Sequence, residues 1–324
     1  MLRYRGFRNT DPPVVAEIWR SRADELALVQ PVSADLFEQF VFGRLHFDYA
    51  GLILALDDDR PVGFAHASFG PDAAERRLST ETGVTCLILV RPDCDQAAVA
   101  AGLLDRCEAY LIERGAKCLY GGGVWPLSPF YSGMCGGCET PGVLESDLAS
   151  RQLYSARGYQ AVDHTLLFRQ DLGGFRPPMD HRLQAQCRRR LLVQVIVDAP
   201  ARSRWEALTV GEFEATRFEL MPRGGGSPVG YALVRAMEWG RAGRPGRVAG
   251  LADLFVEPAC RRQGIATFLI GELARSLANQ GVTLLEAQAR LSNAPLVQLY
   301  RKLGFQQVAE GIVYRKGAPS SEST

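Results

Sequence analysis

The sequence predicts a mixed α/β chain, of the α+β kind, in which one domain is written twice in tandem. Three observations carry this. Short runs of β-branched and aromatic residues alternate with longer helix-period segments. The run Val90-Arg91-Pro92-Asp93-Cys94 returns 166 positions later as Val256-Glu257-Pro258-Ala259-Cys260, and the same offset links Gly115 to Gly281. Finally, Gln152-Leu153-Tyr154-Ser155-Ala156-Arg157-Gly158-Tyr159 echoes Gln298-Leu299-Tyr300-Arg301-Lys302-Leu303-Gly304-Phe305, with Tyr154 and Tyr300 only 146 apart. Self-similarity at a fixed offset marks a duplicated unit. The change of offset places an insertion of 20 residues in the first copy.

Composition agrees with two packed domains. Of 324 residues, 47% are hydrophobic and 23% charged, enough apolar material for two cores. A net charge of +1 gives no field for nucleic acid, and Arg188–Arg190, Arg202 and Arg204 are read as facing solvent. No stretch approaches 18 unbroken apolar residues, so no membrane span is expected. The start, MLRYRGFRNTDPP, lacks the apolar core of a secretory signal. Several of the eight cysteines sit in apolar runs, as small buried residues do, so reduced thiols and a cytoplasmic location are expected.

In the first copy, residues 1–171, a strand at 3–7 precedes a helix from Pro12 to Arg22, with Asp11 as N-cap and prolines in the first turn. A second helix is expected over 34–47, burying Leu36, Phe37, Phe40, Val41 and Leu45. A hairpin pairs 51–56 with 62–68 through Asp57-Asp58-Asp59-Arg60-Pro61. Residues 70–82 read as a polar loop and 84–90 as the fourth strand. A helix follows, with Ala100, Leu103, Leu104, Cys107 and Leu111 at helical spacing, and then a strand near Leu119. The insertion lies within Gly121–Ser146. Its Trp125, Phe130, Tyr131 and Met134 suit either a loop lining a cleft or domain interface, or a self-packed surface loop. Cys135-x-x-Cys138 within it has no second pair for zinc and is read as free thiols. A strand at 161–170 closes the copy, and residues 172–181, with Gly173-Gly174 and Pro177-Pro178, form a linker.

The second copy, residues 182–317, reads as a strand at 188–197, a short helix at 204–213, strands at 214–221 and 229–237, turns at 222–228 and 240–246, and a strand at 248–256. After a long helix come a strand at 282–289, a helix at 294–303 and closing strands over 305–314. Residues 318–324 are small and polar and read as a frayed tail.

The most informative stretch is Leu254–Leu273, LFVEPACRRQGIATFLIGEL. Pro258 ends a strand, and Ala266, Leu269, Ile270, Leu273 and Leu277 recur at helical spacing. The turn between them is Arg261-Arg262-Gln263-Gly264-Ile265-Ala266-Thr267. A helix start offers unpaired N–H groups and the positive end of its dipole. Small residues at 264 and 266 let a ligand approach the backbone, and two arginines add charge suited to phosphate. The stretch is therefore read as a site for a diphosphate or similar polyanion. The first copy has Asp95-Gln96-Ala97-Ala98-Val99-Ala100 there instead, without the glycine or the arginines and with a negative charge that repels phosphate.

Val-x-Pro-x-x-Arg-Arg-Gln-Gly-Ile-Ala resembles the coenzyme A pyrophosphate loop of the GNAT acetyltransferases, (Arg/Gln)-x-x-Gly-x-(Gly/Ala). Asn293 followed by Tyr300, Lys302, Gly304 and Phe305 matches that family's second signature, N-x(6)-Y-x-K-x-G-F. The resemblance implies two tandem GNAT-like domains, each a twisted, mostly antiparallel sheet flanked by helices and split by a bulge in its fourth strand. It implies acetyl-CoA as co-substrate, with the backbone of Leu254, Phe255 and Val256 pairing with the pantetheine arm. Arg262–Thr267, with Arg261 beside it, would hold the diphosphate, Asn293 would bond the arm, and Tyr300 would sit beside the sulfur. The implied reaction is N-acetyl transfer to an amine of a small molecule or peptide. An ammonium must lose a proton to attack, and the thiolate must gain one to leave. Tyr300 is the candidate acid, and Asp253 or Glu286 the candidate base. By this resemblance the second copy is the catalytic one and the first shapes the substrate site. The alternative is a non-catalytic module that binds or senses acetyl-CoA. The four histidines have no metal-pair spacing, and no metal site is expected.

Overall fold

The computed structural model describes residues 1–22, 28–135, 137–210, 213–237 and 246–317. The expected turn at 240–246 falls almost wholly outside these, as does the tail at 318–324. The chain forms two compact units, each described by itself: Met1–Thr165 with Arg202–Val210 and the chain from Ala309 on, and Leu166–Ala201 with Gly211–Val308.

The elements in chain order are β1 (Leu2–Gly6), α1 (Pro12–Arg20), α2 (Ala34–Phe37), β2 (Leu52–Asp57), β3 (Arg60–Pro71), β4 (Leu78–Val90), α3 (Gln96–Glu113), β5 (Cys118–Gly121), β6 (Val143–Leu144), α4 (Leu148–Ala156) and β7 (Gln160–Asp171). They continue with α5 (His181–Arg190), β8 (Leu191–Val197), α6 (Arg204–Thr209), β9 (Ala215–Pro222), β10 (Gly230–Met237), β11 (Arg247–Val256), α7 (Ile265–Asn279), β12 (Val282–Arg290), α8 (Ala294–Lys302) and β13 (Gln306–Gly317).

In the first unit the strand order is β1-β2-β3-β4-β5-β13, and in the second β7-β12-β11-β10-β9-β8. The described registers are antiparallel except β4 with β5 and β11 with β12, which are parallel. This is the mixed, mostly antiparallel architecture expected of each copy. The fourth-strand bulge is present in both. Opposite β3 the register of β4 slips at Cys86, and opposite β10 the register of β11 slips at Ala252, 166 positions later. A helix covers one face of each sheet. Leu103, Leu104, Cys107 and Leu111 of α3 pack with Ile53, Ala55, Ala65 and Ala67. Phe268, Leu269, Leu273 and Leu277 of α7 pack with Phe218, Leu220, Ala232 and Ala249.

Four local expectations need correction. The helix expected over 34–47 is only α2, continued by a π-helical turn at Glu38–Phe42 and ended at Gly43. The extra residue per turn rotates the following side chains, so Phe42 and Phe47 join an aromatic cluster with Phe7 while Leu45 stays exposed. Residues 70–82 are mostly strand, with Pro71 opposite Leu78. Only residues 72–77 form the expected loop, and the flanking residues extend β3 and β4. Residues 188–190 close the helix α5, capped by the Asp180 side chain on Arg182 N–H, and the strand starts only at Leu191. The end of the chain is one strand, β13, rather than several.

Asp11 stands at the N-cap of α1 as expected, but its carboxylate is spent elsewhere. It accepts from Arg5 Nη1 at 2.6 Å, Arg5 Nη2 at 2.8 Å and the Arg8 N–H at 2.7 Å.

The insertion is core rather than surface loop. Ser128, Phe130, Tyr131 and Met134 are at most 2% exposed. Phe130 packs on His66 at 4.5 Å, and the Tyr131 hydroxyl lies 3.0 Å from His66 Nδ1. Gly123 N–H donates to the carbonyl of Cys86, the bulge residue, with Ser128 Oγ close by. The helix α6 also belongs to the first unit: Trp205 stacks on His46 at 4.9 Å and donates Nε1–H to Pro126 carbonyl at 3.1 Å.

Burial holds His66 neutral, pushing its pKa from 6.5 down to about 3. A histidine whose folded pKa is depressed contributes stability above its unfolded value and loses it as pH falls, because the unfolded chain takes up the proton. Wild-type stability should therefore decline between pH 6.5 and about 3. In His66→Gln, which keeps a partner for Tyr131, the decline over that window should be shallower by about 2–4 kcal/mol in urea titrations at several pH values.

Candidate acyl-CoA site of the second copy

The parallel ladder of β11 and β12 runs from Arg247 opposite Val282 to Leu251 opposite Ala287, and the register given for the two strands goes no further. Beyond the bulge at Ala252, β11 keeps its pairing with β10, from Asp253 opposite Leu233 to Val256 opposite Gly230. A split between β11 and β12 thus opens at Asp253–Val256.

The turn sits at the end of that strand. Arg262 and Gly264 both take positive φ, 61° and 76°. Gly264 is the N-cap of α7, and no side chain caps the helix. Ile265, Ala266 and Thr267 are its first residues, whose N–H groups have no carbonyl within the helix to bond. Arg261, Arg262 and Gln263 are exposed. Arg261 Nε turns back to the Val256 carbonyl at 2.9 Å and Gln263 Nε2 to the Ala259 carbonyl at 3.0 Å. Arg262, by contrast, has no hydrogen-bond or ion-pair partner among the described residues. In the first copy the corresponding helix start is closed internally, because the Asp95 carboxylate accepts the Ala98 N–H at 3.1 Å.

Gly264 has a second reason to lack a side chain. A Cβ there would fall 2.7 Å from Leu183 Cδ2, and one on Gly271 would fall 2.6 Å from Pro177 Cγ. These glycines stand seven apart, on one face of α7, and let the linker and α5 lie against it. Arg188 of α5 pairs with Glu272 at 3.1 Å.

The candidate acid–base residues divide between the two faces of the sheet. Ala232, Val234, Leu285 and Ala287 pack beneath α7, so alternation turns Tyr231, Asp253 and Glu286 to the opposite face. Asp253 Oδ2 accepts from the Tyr231 hydroxyl and Oδ1 from the Leu254 N–H, both at 2.8 Å. Glu286 Oε1 accepts from Arg169 Nε of β7 at 2.8 Å, and both side chains are largely buried. Tyr300 lies instead within the core beneath α7, 2% exposed, with Phe168 and Phe305 rings at 5.4 and 5.2 Å. Asn293 caps α8, its Oδ1 accepting the Leu296 N–H at 3.4 Å.

Tyr231 and Arg169 were not foreseen. Tyr231 becomes visible only through cross-strand register. Arg169 lies on the strand that closes the first copy in sequence, far from every motif of the second.

Comparison with known proteins decides the family. The acetyltransferase (GNAT) family model matches residues 15–122 and 194–305, more than half of the chain. The chain belongs to the GNAT acetyltransferase family. Both copies are GNAT regions, and acyl transfer is the general activity of such proteins. No curated protein sequence matches it. Solved structures with the same fold include a tandem GNAT protein from the clavulanic acid biosynthesis pathway, determined without AcCoA. It is 16% identical, with a TM-score of 0.68 over 99% of this chain and 100% of that one. A glucosamine N-acetyltransferase region of a fungal multi-domain β-N-acetylglucosaminidase is 17% identical with a TM-score of 0.73, this chain covering 38% of that one. A GCN5-related N-acetyltransferase from Sphaerobacter thermophilus is 17% identical with a TM-score of 0.60 over 98% and 95% of the two chains. At these identities the likeness is one of fold. Among the described residues no helix is long and apolar enough to cross a membrane.

Gly264→Val adds both strain and a clash, whereas Gly174→Val, at φ 77° with nothing within 4 Å, adds strain alone. Each should lower the urea midpoint, by about 1–2 kcal/mol for the backbone term. The Gly264 variant should lose measurably more, and the difference reports the Leu183 contact.

Proposed function

We propose that the second copy, residues 182–317, moves an acetyl group from acetyl-CoA to an amine of a small molecule or peptide, and that the first copy, residues 1–171, shapes the acceptor site. The observation that carries this is the contrast between the two helix starts. The α7 start has free amides, a glycine N-cap and the unengaged, exposed Arg262, while the α3 start is filled by Asp95. A diphosphate fits the former: Arg262–Thr267 would hold it through backbone amides, with Arg262 supplying charge. The split beside Leu254–Val256 would take the pantetheine arm, with Arg261 releasing the Val256 carbonyl, and Asn293 would bond the arm. Bound acetyl-CoA supplies the activated thioester.

Of the two candidate bases we assign Asp253. Glu286 is engaged by the guanidinium of Arg169. Asp253 stands at the split, beyond the bulge, while Glu286 lies opposite Gly250, where β11 and β12 are still paired. Asp253 would take the proton of the attacking amine, directly or through water, as the C–N bond forms. Tyr300 would give its proton to the sulfur as the C–S bond breaks. The place of α6 in the first unit, through Trp205, supports a role for the first copy in shaping the acceptor site.

One observation favours a second reading, a module that binds acetyl-CoA without turning it over: Tyr300 is enclosed by Phe168 and Phe305 in an apolar core. A thiol-release assay of acetyl-CoA against amines, peptides and aminoglycosides separates the two. The catalytic reading expects release with at least one acceptor. Tyr300→Phe should retain binding and lower the release rate about 100-fold. Binding with no release across the panel establishes the second reading.

A further inference from the structure

The second unit's sheet ends at β8, which among the described residues pairs only with β9. Its register runs without a bulge from Leu191 opposite Pro222 to Val197 opposite Thr216. The outer edge therefore offers a row of backbone donors and acceptors seven residues long. The strand reads LLVQVIV, without a charge or a proline, and Leu192, Val195 and Val197 are 45%, 45% and 70% exposed. Soluble proteins blunt such edges with charges, prolines, bulges or covering loops, because an open apolar edge recruits another strand. The first unit's edge strand, β1, follows that practice with Arg3 and Arg5. β8 does not.

We propose that β8 is a dimer interface, pairing antiparallel with β8 of a second copy of this chain about a twofold axis at Gln194. A twofold contact requires the strand to be complementary to its own reversal, and this one is. Reversed about Gln194, Leu191 meets Val197, Leu192 meets Ile196 and Val193 meets Val195, apolar cross-strand pairs on either side of a central Gln194–Gln194 pair. Just outside the strand stand Arg190, the last residue of α5, and Asp198, at a φ of 49°, so the reversal brings opposite charges near each other at each end. Both are exposed, and neither side chain has a hydrogen-bond or ion-pair partner among the described residues. Opposite charges therefore flank both ends of a largely apolar ladder. The product is a sheet continuous across two copies, with each split between β11 and β12 three strands away from the junction.

The test is the mass of the full chain in solution by light scattering, with circular dichroism and a thermal melt as the check on folding. Wild type should show twice the chain mass. Arg190→Asp, which sets two carboxylates against each other at each end, should halve it, as should Val195→Lys in the middle of the edge. The double variant Arg190→Asp with Asp198→Arg should restore the doubled mass. A folded wild type of single-chain mass overturns the proposal and leaves the edge to a strand of another protein. A doubled mass that survives both single substitutions overturns it as well, by placing the dimer contact elsewhere. Neither result depends on acetyl-CoA, so the outcome is separate from that of the proposed function.

Discussion

The first amides of an α-helix have no carbonyl behind them, and something outside the helix must take their place. The two copies of this chain meet that constraint in different ways. At α3 the carboxylate of Asp95 takes the Ala98 amide. At α7 the cap is Gly264, which has no side chain to offer, and the turn before it holds Arg262 at a positive φ with its guanidinium unengaged. A carboxylate at one helix start and an arginine before a side-chain-free cap at the other are different answers to one electrostatic constraint. The division of labour proposed between the copies rests on that difference. The bulged, split sheet is common to both, since Cys86 and Ala252 interrupt their ladders at equivalent positions.

The face of each sheet opposite its long helix must also be covered. In the first unit the insertion does this. Phe130 and Tyr131 pack on His66 and Trp19, and Gly123 and Ser128 lie against the bulge at Cys86. The second copy has no insertion, and the same face of its sheet carries Tyr231, Asp253, Glu286 and Arg169. One copy has an aromatic filling on this face and the other has polar pairs. This gives physical content to the reading that one copy supports and the other reacts.

Much of this was legible in sequence, and the exceptions have definite causes. The family resemblance placed a bulge in the fourth strand of each copy, and the registers put the two at Cys86 and Ala252, one repeat offset apart. Glycine and proline punctuation placed the turn at 261–264 and most strand ends. The helix α5 was missed because its prolines and glycines lie just before it and its three arginines were read as the start of a strand. Its signals were present: Asp180 as a cap, Leu183 and Cys187 one turn apart, and basic residues in the last turn. The break at Phe42 was not legible, because a π turn has no composition of its own. Tyr300 is buried in the core, and its enclosure by Phe168 depends on β7, a strand that sequence order assigns to the first copy. Arg169 was hidden for the same reason. Periodicity reports which face of an element is apolar and is silent on which distant strand will lie beside it.

Amide hydrogen exchange with and without acetyl-CoA addresses the central claim most directly, because it reads the two helix starts in one experiment. The account predicts slowed exchange at Gly264–Thr267, where the amides gain an acceptor, and unchanged exchange at Gln96–Val99, where Asp95 already serves. Protection at both starts, or at neither, would contradict it.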